Sequence, residues 1–231
     1  MIDSNKCWLT DSCKQLHCND ESGCLILYKL DYLYNEANVP VKLRKNVALR
    51  TDADGTDLNE FKNLKTIQDN IETFVNEGQN LYLYSSQAGN GKTSWALRLL
   101  QSYFKKIWLR TELKCRALFI NVPSFLLALK ANISNPNEYY QHINDYVLDC
   151  DLVIWDDIGN KVGTEFEISH LLSIIDTRIN KGKANIYTSN INPSDLGKLL
   201  DIRLGSRICS ASTCIEFKGG DKRNLSLKGV E

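Results

Sequence analysis

The sequence predicts an α/β fold in which a parallel sheet is flanked by helices, with a small cysteine-rich module ahead of it. From about residue 65 onward, short apolar runs typical of buried strands alternate with amphipathic runs typical of helices. A glycine-rich loop joins the first apolar run to the helix after it, and four cysteines lie within the first 24 residues. We therefore divide the chain into a module at 1–33, a linker at 34–64 and an α/β domain at 65–231.

The composition is that of a globular protein with one well-buried domain and a small appendage. The chain has 231 residues, of which 43% are hydrophobic and 24% are charged. Its formal net charge of zero gives no overall attraction to nucleic acids or anionic membranes, so any DNA contact needs a local patch. The N-terminus lacks the pattern of a signal peptide, and no apolar run approaches the roughly 20 residues that span a bilayer. We expect a cytoplasmic protein without membrane contact, in which thiols stay reduced.

Strands and helices can be assigned in order along the α/β domain. The predicted strands are NLYLYSS (80–86), RALFINV (116–122), DLVIWDD (151–157) and ANIYTSN (184–190). The predicted helices are LKTIQDNIETFVNEG (64–78), KTSWALRLLQSYFKK (92–106), PSFLLALKANI (123–133) and FEISHLLSIIDTRINKG (166–182). Helices between consecutive strands favour parallel pairing, which brings the carboxyl ends of all strands to one edge.

The loop after the first strand, within YSSQAGNGKTSW (84–95), fits the phosphate-loop pattern G-x-x-x-x-G-K-[ST] at every position but the first. Its backbone N–H groups and the start of the next helix can hold a nucleotide phosphate. Lys92 would bring a positive charge to the β- and γ-phosphates, and the Thr93 hydroxyl would bind Mg²⁺. The predicted nucleotide-binding residues are Ser86, Gln87, Ala88, Gly89, Asn90, Gly91, Lys92, Thr93 and Ser94.

Ser86 stands where the pattern has its first glycine, and a left-handed backbone there would cost about 1 kcal/mol more than with glycine. The alternative to a phosphate loop is a helix-start turn that matches by accident. Polar residues at the ends of two later strands support the functional interpretation.

Asp156 and Asp157 end the strand DLVIWDD, and Asn190 ends ANIYTSN. In a parallel sheet these side chains arrive beside the phosphate loop. Asp156 can then hold Mg²⁺ together with Thr93, Asp157 can orient or deprotonate the attacking water, and Asn190 can position that water. Taken alone, the acidic pair could equally cap a turn.

The ordered runs AGNGKTS, DLVIWDDIG, ANIYTSN, DIRLGSRI and GGDKR resemble AAA+ ATPases, and most of all the DnaC/DnaI-type helicase loaders of bacteria and their phages. The resemblance covers about 65–231 and implies an AAA+ P-loop NTPase core that uses ATP and Mg²⁺. It implies that Arg207 is an arginine finger, which reaches the nucleotide of a neighbouring subunit with help from Arg203. Arg223 would be the sensor 2 arginine, which contacts phosphates in its own subunit.

The same resemblance implies an ATPase that self-associates and loads a hexameric DnaB-type replicative helicase onto single-stranded DNA during replication initiation. The compact size suggests a phage-encoded member. Ser86 and Asp157 depart from the common pattern, and the short carboxylate of Asp157 leads us to expect slow hydrolysis. Because the arginine finger comes from a neighbouring subunit, we also expect hydrolysis to depend on assembly. Two alternatives stay open: a non-hydrolysing adaptor that titrates or inhibits a host helicase, and a transposition-helper AAA+ ATPase. Tyr139 and Tyr140, between the second and third strands, could stack on DNA bases or belong to the core.

The N-terminal cysteines follow the spacing C-x5-C-x4-C-x5-C, with His17 beside the third. Four soft ligands in a segment too short for its own core favour a tetrahedral Zn²⁺, although an Fe–S cluster or no metal remains possible. The predicted zinc ligands are Cys7, Cys13, Cys18 and Cys24, with His17 as an alternative to one of them. DnaI-type loaders are similar in having an N-terminal zinc domain that contacts the helicase. We expect the other four cysteines to be ordinary thiols, and His142 and His170 to have no metal-ligand partner.

Overall fold

The computed structural model describes residues 25–44, 49, 55–160 and 163–222. The predicted cysteine ligands of the N-terminal module and Arg223 lie outside these residues.

Five parallel strands form one sheet in the order β2-β3-β4-β1-β5. The strands are β1 (Asn80–Tyr84), β2 (Ala117–Asn121), β3 (Leu152–Asp156), β4 (Ala184–Ser189) and β5 (Ser212–Glu216). The predicted parallel sheet is therefore confirmed, with one strand more than the sequence indicates. β5 was not predicted because its sequence lacks a continuous apolar run. It is an edge strand whose one buried residue, Ile215, has mostly polar neighbours.

Helices cover both faces of this sheet. They are α1 (Leu25–Glu36), α2 (Leu58–Asp69), α3 (Ile71–Asn76), α4 (Lys92–Ile107), α5 (Val122–Ser134), α6 (Glu138–Tyr146), α7 (Glu165–Asn180), α8 (Pro193–Leu199) and α9 (Ile202–Ala211). The helix predicted at 64–78 is two helices, because Asn70 leaves the helical conformation with φ −106° and ends α2. Among the described residues, no helix is long and apolar enough to cross a membrane.

Alternate strand residues face two separate hydrophobic clusters. On one face, Leu81 and Leu83 of β1 pack with α1 to α4, and on the other, Tyr82 packs with α5 to α9. Every residue of β3 is buried. Central strands covered on both faces read as continuous apolar runs, which is why they were predictable from sequence.

More of the chain belongs to this core than the sequence indicates. Tyr34, assigned to the linker, packs edge-on against Phe104 of α4 with ring centroids 5.1 Å apart, and Leu64 is fully buried. Asp57, also in the predicted linker, accepts hydrogen bonds from the backbone N–H groups of Lys218 (2.7 Å) and Gly219 (2.9 Å). The described parts of the 34–64 segment thus pack on the sheet and its helices.

A buried guanidinium connects the elements at the amino end of the sheet. Arg178 of α7 is 0% exposed and donates to Asn185 Oδ1 at 2.8 Å. It also donates to the backbone carbonyls of Val147 (2.5 Å), Cys150 (3.1 Å) and Ala184 (2.7 Å), just before or at the start of β3 and β4. Burial lowers the pKa of Arg178, and these four acceptors offset the loss of hydration.

We expect Arg178→Leu to lower the free energy of unfolding by about 3 kcal/mol or more, since four buried acceptors lose a charged donor at once. Urea denaturation followed by circular dichroism measures this change. Lys181→Ala, at the exposed end of the same helix, is the matched control and should change stability by less than about 0.5 kcal/mol. An equal effect of both substitutions would contradict a structural role for the Arg178 network.

Candidate nucleotide-binding site

The glycine-rich loop connects β1 to α4 at the carboxyl edge of the sheet. Gly89 (φ +78°) and Gly91 (φ +104°) both adopt the left-handed conformation, which glycine enters without steric cost. Gly91 directly precedes α4, so the first N–H groups of that helix are not used by the helix itself. Such a helix start attracts anionic groups, phosphates included.

Ser86 carries no backbone strain in this loop. The described non-glycine residues with positive φ are Asn38, Asp57 and Asp157, so Ser86 is in a conformation open to any residue. Its side chain is exposed at the start of the loop. The departure from the glycine pattern at this position therefore leaves the loop geometry intact.

Lys92 lies inside the loop rather than on its surface. The residue is only 6% exposed, and its Nζ donates to the Gln87 carbonyl at 3.0 Å and to Asn90 Oδ1 at 3.1 Å. Asn90 is fully buried and donates in turn to the Ser85 hydroxyl. These bonds hold the loop in a curved shape with an ammonium group inside it, which suits a bound phosphate.

Asp156 joins three elements through one carboxylate oxygen. It ends β3, and its Oδ1 accepts hydrogen bonds from Thr93 Oγ1 of α4 at 2.7 Å and from Thr188 Oγ1 of β4 at 2.8 Å. A carboxylate beside a hydroxyl supplies the hard oxygen ligands that Mg²⁺ takes in nucleotide sites. The residues present thus fit a magnesium ion between Thr93 and Asp156.

Asp157 has a left-handed backbone, with φ +61°. Aspartate tolerates this conformation better than most residues, but it still costs on the order of 1 kcal/mol. Hydrogen bonds from its own N–H to Thr188 Oγ1 (3.0 Å) and from Ile158 N–H to the Thr188 carbonyl (2.9 Å) offset the cost. As a result, Asp157 lines the pocket next to the loop.

This pocket has a volume of about 220 Å³ and is bounded by the loop on one side and by Asp157, Asn160 and Asn190 on the other. Asn190 Nδ2 donates to Asn160 Oδ1 at 3.1 Å, so the two amides form one polar wall. The loop residues that line it are Ala88, Gly89, Asn90, Gly91, Lys92, Thr93 and Ser94. Asn160 and Thr188 were not predicted as site residues, although Thr188 lies within the run ANIYTSN and Asn160 directly follows the run DLVIWDDIG.

The segment 217–222 contacts the loop directly. Lys222 N–H donates to the Gly89 carbonyl at 3.0 Å, and the Asp221 carboxylate packs against the Gly89 Cα. A Cβ at Gly89 would lie 1.9 Å from Asp221 Oδ1, so no larger residue fits here unless the segment moves. A carboxylate thus lies beside the loop that is built to receive an anion.

Arg203 and Arg207, the two arginines of the predicted set that the structure describes, lie outside the nucleotide pocket. Arg207 of α9 forms an exposed ion pair with Asp176 of α7, with 2.9 Å between Nε and Oδ1. Arg203 is exposed and borders a groove between α7 and the α8–α9 pair. Neither Arg203 nor Arg207 lines the nucleotide pocket, and none of the described residues that line it is an arginine.

Tyr139 and Tyr140 pack within the chain. The ring of Tyr140 stacks on Phe125 with centroids 5.8 Å apart and an interplanar angle of 21°. Burial raises the pKa of Tyr139 to about 12. Both partly buried rings contact the cluster on the α5–α9 face, so they contribute to the packing of the fold.

No protein-family model matches the chain, and neither does any curated protein. Solved structures do match. The DnaC helicase loader superposes with a TM-score of 0.61 at 17% identity, over 78% of this chain and 100% of that one. DnaI superposes with a TM-score of 0.58 at 20% identity, over 80% and 94%. The replication initiator DnaA, bound to AMPPCP and single-stranded DNA, gives 0.56 at 18% identity, over 78% and 51%.

The likeness shows the fold: the parallel sheet and its flanking helices match an AAA+ P-loop fold. The chain spans about half the length of the DnaA structure that it matches, and almost all of the DnaC and DnaI structures.

We expect Lys92→Ala to weaken Mg²⁺–ATP binding by about 10- to 100-fold, because a charged hydrogen bond to phosphate contributes about 1.5–3 kcal/mol. Titration with a fluorescent ATP derivative in the presence of Mg²⁺ measures the affinity. Ser86→Gly is the control in the same loop and should change the affinity little, since Ser86 is unstrained. Undiminished binding by Lys92→Ala would exclude this loop as the phosphate site.

Proposed function

We propose that the chain is an AAA+ ATPase that recruits a hexameric DnaB-type replicative helicase and loads it onto single-stranded DNA. The observation that carries the proposal is the meeting of Lys92, Thr93, Asp157 and Asn190 around one pocket of an AAA+ P-loop fold, with Asp156 bonded to Thr93 beside it. The likeness to the DnaC helicase loader over that structure's whole length supports the choice of helicase loading among AAA+ functions.

Each pocket residue has a role in this proposal. Lys92 and the loop N–H groups bind the β- and γ-phosphates, and Thr93 and Asp156 hold Mg²⁺. Asp157 activates the attacking water, and Asn190, oriented by Asn160, positions it near the γ-phosphate.

Hydrolysis in this proposal depends on assembly. Arg207 lies away from its own chain's pocket, and it can reach a neighbouring subunit's nucleotide after leaving Asp176. Its cationic guanidinium would stabilise charge on the transferring phosphoryl group. Arg203 assists on the same helix, and Arg223 contacts the phosphates of its own subunit.

Two features favour a slow conformational switch over a fast motor. The carboxylate of Asp157 is one methylene shorter than a glutamate and reaches less far toward water. Asp221 adds a carboxylate beside Gly89, so bound phosphates would repel the 217–222 segment. ATP binding is therefore expected to move this segment and so to change the surface offered to partners.

The N-terminal module completes the proposal. Cys7, Cys13, Cys18 and Cys24 bind Zn²⁺ and give the module its fold, and the module contacts the helicase. The AAA+ core binds nucleotide, self-associates and touches single-stranded DNA.

A pull-down tests whether the partner is a replicative helicase. The full-length chain is immobilised, host lysate is passed over it, and the retained proteins are identified by mass spectrometry. We expect a replicative helicase to be retained with ATP, and its absence would refute helicase loading. ATPase assays with and without single-stranded DNA then separate loader from adaptor. Helicase capture and ATP binding with no turnover in either assay would indicate the non-hydrolysing adaptor instead.

We expect Arg207→Ala to lower kcat of the assembled ATPase by about 100-fold or more while nucleotide affinity stays unchanged, as for an arginine supplied in trans. Steady-state ATPase assays at increasing protein concentration provide the measurement. Lys106→Ala, at an exposed cation in the last turn of α4, is the control and should keep normal turnover. Loss of ATP affinity in Arg207→Ala would contradict a role in the neighbouring site.

A further inference from the structure

Three potential metal ligands from distant parts of the sequence meet at the end of α1. They are Glu36, the last residue of α1, Cys115, two residues before β2, and His142 of α6. One ligand atom from each residue, a carboxylate oxygen, the thiol sulfur and a ring nitrogen, lies within 4.8 Å of the other two.

The fold brings these residues together by covering the edge strand β2 with the end of α1. Phe119 N–H of β2 donates to the Ala37 carbonyl at 2.7 Å, which fixes the end of α1 against the strand. Cys115 Sγ lies 3.6 Å from the Glu36 carbonyl oxygen, and His142 Nε2 lies 2.7 Å from that same oxygen. The backbone of one residue therefore positions the other two side chains.

The burial pattern suits a bound cation that enters from solvent. Cys115 is 7% exposed, whereas Glu36 and His142 are partly exposed. The ring of His142 is further restrained by Tyr146, with ring centroids 5.1 Å apart. The soft ligand thus lies at the bottom, and the charged and titratable ligands lie nearer to water.

Thiolate, imidazole and carboxylate together are ligands that Zn²⁺ accepts in tetrahedral sites. When the Nε2–H of a histidine is donated to a carbonyl oxygen, Nδ1 is the nitrogen left for a metal, and such a hydrogen bond is a common second interaction of zinc-bound histidines. Ligand atoms around a tetrahedral zinc lie about 3.5 Å apart, so the group needs to contract by roughly 1 Å. Rotation of the partly exposed Glu36 and His142 side chains can supply such a contraction.

We propose that Glu36, Cys115 and His142 bind one Zn²⁺, with water as the fourth ligand, and so join α1 and α6 to the edge strand β2. Binding ionises the Cys115 thiol and releases its proton to solvent. The site holds α1, the helix that follows the N-terminal cysteines, against the AAA+ core. This proposal differs from the sequence-based expectation that Cys115 is an ordinary thiol and that His142 has no metal-ligand partner.

Metal titration of the full-length chain tests the site. In a background with all four N-terminal cysteines changed to serine, we expect Co²⁺ to give the visible absorption of a tetrahedral thiolate site, which Zn²⁺ then abolishes. Cys115→Ser and His142→Ala in that background should each weaken Zn²⁺ binding by about 100-fold, while Cys214→Ser, at an exposed cysteine, should leave it unchanged. No Co²⁺ signal from the folded background chain would overturn the proposal.

Zinc content and melting temperature provide a second test, which distinguishes loss of the metal site from failure of a variant to fold. Zinc per chain, measured in the protein with its N-terminal cysteines intact, should fall by one equivalent in Glu36→Gln or Cys115→Ser relative to Cys214→Ser. The melting temperature of the background chain should rise with Zn²⁺ and lose this rise in Glu36→Gln, a milder change on a partly exposed side chain. Equal zinc content in all three proteins would refute the site, whatever the N-terminal cysteines bind.

Discussion

The site depends on the hydrogen bonds that the Asp156 carboxylate accepts. A single oxygen accepts hydrogen bonds from Thr93 of α4 and Thr188 of β4, so the loop helix and two central strands share one acceptor. The hydroxyl of Thr188 also receives the N–H of Asp157 and fixes the left-handed turn after β3. Asp157, Asn160 and Asn190 are consequently presented to the loop by one connected set of bonds. A metal ion placed between Thr93 and Asp156 would enter this set at its centre, which couples ion binding to the geometry of the turn.

The loop and the 217–222 segment form a second coupled pair. The Gly89 carbonyl accepts a hydrogen bond from Lys222 N–H, and the Asp221 carboxylate packs against the Gly89 Cα. The Asp57 carboxylate accepts hydrogen bonds from the backbone N–H groups of Lys218 and Gly219. The loop, the segment after β5 and the region ahead of α2 are thereby connected. An anion that enters the loop would act on Asp221 first, and Asp57 would limit how far the segment could move.

The described N-terminal part belongs to the core and is no separate appendage. α1 buries apolar residues against α4, and its end covers the edge of β2, where a free strand edge would otherwise be exposed. A zinc ion at Glu36, Cys115 and His142 would strengthen this attachment.

The sequence alone determined the sheet and the identity of its loop. Buried central strands read as continuous apolar runs, and the glycine, lysine and threonine of the loop stand at fixed spacing next to their helix, so both signals are local. Only the tertiary structure revealed β5, the core position of α1, the contact of Asp221 with Gly89 and the meeting of Cys115 with His142. These features rest on contacts between residues far apart in the chain, and an edge strand or an isolated cysteine carries no periodic pattern. The left-handed backbone of Asp157 was likewise decided by the hydrogen bonds that Thr188 makes with Asp157 and Ile158.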